Sequence, residues 1–428
     1  MHSSHRLETL CLHAGQQPDP ATLSRAVPVY RTSSYVFRDT RHAADLFGLK
    51  EPGNIYTRIM NPTQDILEKR VAALEGGAAA LALSSGTSAV YYSIINICSS
   101  GDEIVSAANL YGGTYTMFAG IFPQFDIRVK FVDIRNTAGF EHAITEKTRA
   151  LYLETIGNPV LDVADVEAVA EIAKRHHIPL IADATFTTPY LMTALTHGAD
   201  IVVHSLTKWM GGHGTGIGGI VVDSGKFDWT DPKFRLYNTP DETYHGVRFA
   251  TDLGEMNPLA FILRMRLVPL RNLGACISPD NAWLFLQGLE TLPLRMQRHC
   301  ENALAVARYL SRHPKVSWVR YPGLEADPSH ETAKKYLTRG FGGMVVFGIQ
   351  GGISAGKTFI ERLTLFSHLA NVGDAKSLAL HPSSTSHSQL SEAEQRAGGL
   401  TPDLVRLSIG IEHVDDILED LDQALKGV

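Results

Sequence analysis

The feature that most constrains this chain is a series of seven short apolar runs between residues 79 and 222. They lie at Ala79–Leu83, Glu103–Ala107, Val129–Asp133, Ala150–Glu154, Leu180–Ala182, Ile201–Val203 and Ile217–Val222. Several are separated by stretches with helical spacing, such as Val163–His176, in which Val166, Val169, Ala170 and Ala173 share one face. Strands alternating with helices require right-handed crossovers, so the pattern predicts a mostly parallel, seven-stranded sheet covered on both faces. Upstream, Asn61–Gly76 reads as a helix, opened by Asn61-Pro62, closed by Gly76-Gly77 and lined by Ile66, Leu67, Val71 and Leu74.

The pattern changes near Arg264–Ser278. Beyond it, helical segments dominate at Asn281–Glu290, Glu301–Arg312 and Asp415–Leu425, with strands expected at Gly343–Phe347 and Val405–Ile409. A chain of 428 residues is too long for one core. The reading is a large α/β domain over 61–270, a smaller α+β domain over 271–428, and an arm over 1–60, where periodicity is weak and turn residues are frequent.

Composition removes several function classes. The net charge is −6 and no block of Lys and Arg forms a basic stripe, which excludes nucleic acid as the expected partner. The uncharged stretch Gly76–Gly101 holds six serines with Thr87 and Asn96, too polar for a membrane span. Cys11, Cys98, Cys276 and Cys300 form no C-x-x-C pair, and Met1–Gly15 lacks the apolar core of a signal peptide, so a reducing cytoplasm is expected. No metal site is expected, because His176-His177 ends a helix and His330-Glu331 lacks the second histidine of a zincin.

Three segments carry chemistry. In the first, the apolar run Ile201–Val203 leads into Ser205, Thr207, Lys208 and a glycine-rich turn. A lysine at a buried strand end loses part of its preference for charge and becomes an amine able to form a Schiff base, while the two hydroxyls suit a phosphate. In the second, Asp183 stands at the tip of the preceding strand, where ligands of parallel sheets bind, and could hold a pyridine nitrogen protonated. In the third, Ser84–Ser88 joins a strand to a helix through Gly86 and Thr87, placing main-chain N–H groups where an anion is favoured. Taken singly, each has a plainer reading: a solvated lysine, an N-cap aspartate, an ordinary turn. Glycines 214, 216 and 219 also satisfy G-x-G-x-x-G, which keeps a nicotinamide-dependent oxidoreductase as the rival class. That fingerprint needs a helix after the turn, whereas Gly219–Asp223 reads as a strand.

With these pieces in place, the sequence resembles the Cys/Met-metabolism family of fold-type-I pyridoxal-phosphate (PLP) enzymes over nearly its whole length. The carriers are Leu12–Gln16, Asn54–Thr63, Leu110–Thr114, Glu154–Pro159, the Lys208 segment, Phe366–Ser377 and Leu404–Ser408. The resemblance implies a fold-type-I transferase with Lys208 as the cofactor lysine, Asp183 at the pyridine nitrogen and Asn158 beside the ring hydroxyl and the substrate. It further implies that Gly86, Thr87, Ser205 and Thr207 cup the phosphate and that Tyr111 stacks on the ring. Arg406 would clamp the substrate carboxylate, and Ser377 would line the substrate. Tyr56 and Arg58 would reach the phosphate of a neighbouring subunit, implying a homo-oligomer, expected as a tetramer, with shared active sites. The implied reaction is γ-replacement on O-acetyl-L-homoserine by sulfide, giving L-homocysteine and acetate for methionine biosynthesis, with Lys208, Tyr111 and Tyr56 as catalytic groups. A γ-lyase and a cystathionine synthase are the alternatives within the family, and a sulfur-carrier protein is an alternative donor. Two positions depart from the family pattern: Thr87, where relatives often carry Gln or Met, and Ala184, where Asn usually follows the aspartate.

Overall fold

All seven apolar runs are strands of one sheet: β1 (Ala79–Leu83), β2 (Glu103–Ala107), β3 (Arg128–Val132), β4 (Thr148–Glu154), β5 (Leu180–Asp183), β6 (Ile201–Ser205) and β7 (Gly219–Asp223). This computed structural model describes residues 5–385 and 399–428; residues 1–4 of the expected arm and 386–398 of the expected smaller domain lie outside them. The strand order is β1-β7-β6-β5-β4-β2-β3, parallel from β3 to β6, with β7 antiparallel to both its neighbours. Every residue of β2 and β4 is buried, as expected of strands covered on both faces. Gly219 opens β7 and no helix follows the glycine turn, so the dinucleotide fingerprint is not formed.

Local sequence fixes the flanking helices. Pro62–Glu75 has Asn61 as N-cap, proline in its first turn and Gly76 in the left-handed conformation at its end. Gly86–Ile95 has Ser85 as N-cap, its side chain accepting from the N–H of Ser88.

A second sheet is built from β8 (Val316–Arg320), β9 (Met344–Ile349), β10 (Ser367–His368), β11 (Leu378–Leu380) and β12 (Leu404–Ser408), in the order β10-β11-β12-β9-β8. Helices Gly352–Arg362 and Val414–Lys426 cover it, Phe359, Ile417 and Leu421 joining Val345 and Phe347 in a separate hydrophobic cluster. β8, β10 and β11 were not expected: β8 alternates poorly and the other two are only two or three residues long. The helix expected from Glu301 begins earlier, at Leu292, because Pro293 sits in its first turn instead of breaking it. The arm holds two short helices, Leu7–His13 and Thr40–Phe47. Among the described residues no helix is long and apolar enough to cross a membrane. We propose that 61–270 and 271–428 are the two domains; the helix Leu292–Leu310 packs on the cores of both.

Candidate active site

The carboxyl ends of β4, β5 and β6 open into a cavity of ≈ 270 Å³. Strand register sets its floor, because Glu154 is the direct neighbour of Asp183 across the β4–β5 pairing, and both line the cavity. Asp183 Oδ1 accepts from the N–H of Thr185 (2.9 Å), and the Tyr152 hydroxyl lies 3.5 Å from Oδ2. Burial raises the carboxyl of Asp183 above its ordinary range, and no cation among the described residues comes within ion-pair distance of it. Burial together with the nearby Asp183 pushes Glu154 well up as well.

Lys208 follows β6 in a turn closed by the N–H of Gly212 on the carbonyl of Lys208 (2.8 Å). Its Nζ donates to Asn371 Oδ1. Desolvation, with Arg406 adding repulsion, lowers the ammonium to about 8, so more free amine exists near neutral pH than for an exposed lysine. Arg406, on β12, projects into the same cavity, where Nη1 donates to Asn158 Oδ1 at 3.4 Å. Desolvation lowers it to about 10.

Gly86 and Thr87, which open the helix Gly86–Ile95, line the same cavity beside Ser205. A Cβ at Gly86 would stand 2.6 Å from Ser205 Cβ, so only glycine leaves this cradle open. Thr207 borders it too, its hydroxyl accepting from the N–H of Gly218 (3.1 Å) and holding the glycine turn closed. Tyr111, half exposed, forms the rim, and its N–H donates to Glu154 Oε1 at 2.6 Å. The donor set fits a pyridoxal phosphate: a cradle of N–H and hydroxyl groups for a phosphate, a desolvated amine, an uncompensated carboxyl for a ring nitrogen, and an aromatic rim.

One chain thus brings Lys208, Asp183, Asn158, Arg406, Tyr111 and the four cup residues together. Tyr56 and Arg58 stand apart on the arm, stacked on each other with Arg58 Cζ 5.2 Å from the Tyr56 ring centre, and neither lines this cavity. Ser377, expected at the substrate, is also not among the residues that line this cavity. The side chain of Ser377 is fully buried, its Oγ donating to Glu412 Oε2 (2.9 Å) and accepting from the N–H of Gly410 (2.8 Å). Ala370, Asn371 and Val372 of the same segment line the cavity instead. Ala184 does not line it either; it is fully buried, with its N–H on the carbonyl of Val203. Sequence reasoning passed over Glu154 and Asn371 as site residues, although both lie inside segments that carried the resemblance.

The family model described as Cys/Met metabolism PLP-dependent enzyme matches residues 8–426. The chain belongs to this family of PLP-dependent enzymes. Among similar members, the O-acetyl-L-homoserine sulfhydrylase of Leptospira meyeri is 57% identical over 427 residues, covering 98% of this chain and 97% of its own length. The homocysteine synthase of Schizosaccharomyces pombe is 52% identical over 426 residues, with 99% of each chain covered. A crystal structure from Campylobacter jejuni holding an N'-pyridoxyl-lysine-5'-monophosphate superimposes with a TM-score of 0.95 at 39% identity, covering 99% of this chain and all of that one.

Proposed function

We propose that this PLP-dependent enzyme converts O-acetyl-L-homoserine and sulfide to L-homocysteine and acetate. The observation that carries the reading is the convergence of Lys208, Asp183 and Arg406 in one cavity, in a chain more than half identical to a sulfhydrylase and to a homocysteine synthase acting in this chemistry.

Bound PLP supplies the electron sink that makes the substrate's α- and β-protons acidic. Asp183 would hold the ring nitrogen protonated, and the cradle of Gly86, Thr87, Ser205 and Thr207 would take the phosphate at a helix start. Arg406 grips the substrate carboxylate with its planar fork, and Asn158 orients both partners. Lys208 Nζ takes the α-proton, gives it up again so that the amine is free, and then takes a β-proton. Acetate leaves from the γ-carbon, the sulfur of sulfide bonds to that carbon, and the protons return. Tyr111, on the rim, moves a proton at the leaving group, with the partner subunit's Tyr56 as the alternative. Tyr56 and Arg58 serve the neighbouring site, in a cytoplasmic homotetramer.

The test uses purified holoenzyme with O-acetyl-L-homoserine, with and without sulfide, while homocysteine and 2-oxobutanoate are quantified. Homocysteine formed only when sulfide is present is the expected result. A predominance of 2-oxobutanoate would move the function to a γ-lyase, and cystathionine formed from added cysteine would move it to a synthase.

A further inference from the structure

Arg295, on the helix Leu292–Leu310, lies against the turn that follows Lys208 and is 4% exposed. Among the described residues no carboxylate stands within 4 Å of it. Its guanidinium is instead spent on the main chain: Nη1 donates to the carbonyl of Trp209 (2.7 Å), and Nη2 to those of Gly288 (2.6 Å) and Met210 (3.3 Å). Nε donates to Thr291 Oγ1 (3.1 Å). Burial of such a cation is costly unless its donors are satisfied, and here dipoles alone satisfy them.

Trp209 and Met210 are the two residues after Lys208. The chain leaves β6, closes one turn through Gly211 N–H on Leu206 and Gly212 N–H on Lys208, and does not continue as a helix. Among the described residues no main-chain donor reaches the carbonyls of Trp209 and Met210, and Arg295 supplies the donors instead. Gly288 is in the last turn of helix Pro279–Glu290, whose carbonyl end attracts a cation. Glycine permits the approach: a Cβ on Gly212 would stand 2.1 Å from Arg295 Nη1, and one on Gly288 would stand 2.5 Å from the Met210 carbonyl. The same turn supports the strap that lines the cavity, through Ala375 N–H on the Gly212 carbonyl (2.8 Å).

We propose that Arg295 is a positioning residue of this active site, clamping residues 209–212 so that Lys208 and the strap 370–375 enter the cavity at a fixed depth. The proposal rests on Lys208 being the cofactor lysine, and failure of that assignment would show separately, as cofactor still fixed covalently to the chain by borohydride in Lys208→Ala.

The test compares full-length wild type, Arg295→Met and Arg295→Lys. Amide hydrogen exchange over residues 206–212 is followed in the apoenzyme, alongside the cofactor absorbance spectrum and kinetics of the holoenzyme. In Arg295→Met, exchange over 206–212 is expected to accelerate at least ~10-fold while β4 stays within about twofold of wild type. The cofactor band should shift or broaden, and kcat should fall roughly 30-fold with the KM for O-acetyl-L-homoserine changed less than about threefold. Arg295→Lys, which keeps the charge but cannot span three carbonyls, should fall between. Wild-type exchange over 206–212 in folded Arg295→Met, or equal acceleration across the chain, would overturn the proposal. Should Arg295→Met not accumulate folded, Arg295→Lys decides by the same criteria.

Discussion

The two ends of the seven-stranded sheet both hold buried carboxyls, and they do different things. At the carboxyl ends of β4 and β5, Glu154 and Asp183 face a cavity that also receives Lys208 and Arg406. At the opposite end, Asp223 closes β7 opposite Ile201, and Asp200 lies just before β6. Asp223 Oδ1 accepts from the N–H of Gly225 (2.9 Å), and Asp200 Oδ2 from that of Leu180 (2.9 Å). Burial raises Asp200 to about 6 and Asp223 to about 7. Desolvation perturbs acids at either end, so a raised carboxyl does not by itself mark a site. What separates the ends is space beside the acid for a cationic ring, and an amine within reach of the same space.

The largest effect that would break this contrast is expected at Lys208. Lys208→Ala should lower turnover by roughly 10³-fold or more with little change in melting temperature. Mixing it with Arg58→Ala should restore part of the activity if subunits share sites; no restoration would confine each site to one chain. Next, Asp183→Asn should lower kcat/KM by about 100-fold, whereas Asp223→Asn should leave it within about twofold. Comparable losses would erase the distinction between the two ends. The smallest effect concerns stability. Asp223 binds its proton more tightly folded than unfolded, so its contribution is fully present below pH 3.8, declines as pH rises, and levels off above about 7. Asp223→Asn should therefore raise the melting temperature by roughly 2 °C at pH 8 and leave it unchanged near pH 3.5, measured by scanning calorimetry. A pH-independent change would assign the effect to packing.

Much of this was legible in the sequence for a physical reason. Strands covered on both faces are continuous apolar runs, so the ends of β5 and β6 could be counted to Asp183 and Lys208 before the fold was known. The strap was not legible in the same way. Phe366–Ser377 has no period, and its sequence does not say which side chains turn outward; the resemblance alone pointed to Ser377, whose hydroxyl is held by Glu412, while Asn371 accepts from the lysine. Glu154 was hidden because a single acid ending an apolar run looks like any strand terminus. Arg295 was hidden because the carbonyls it serves become neighbours only once β6 and two helices are assembled.

The helix Leu292–Leu310 has a consequence for anyone recombining this chain with a relative. Leu292, Met296 and Cys300 pack in the larger cluster, while Ala303, Val306 and Leu310 pack in the smaller one. A chimera joined near residue 270 would import a foreign plug into the host's larger core and unseat the guanidinium under the lysine turn. A junction placed after Leu310 exchanges the second sheet, with Arg406 on β12 and Asn371 in the strap between β10 and β11, and leaves the lysine's foundation native.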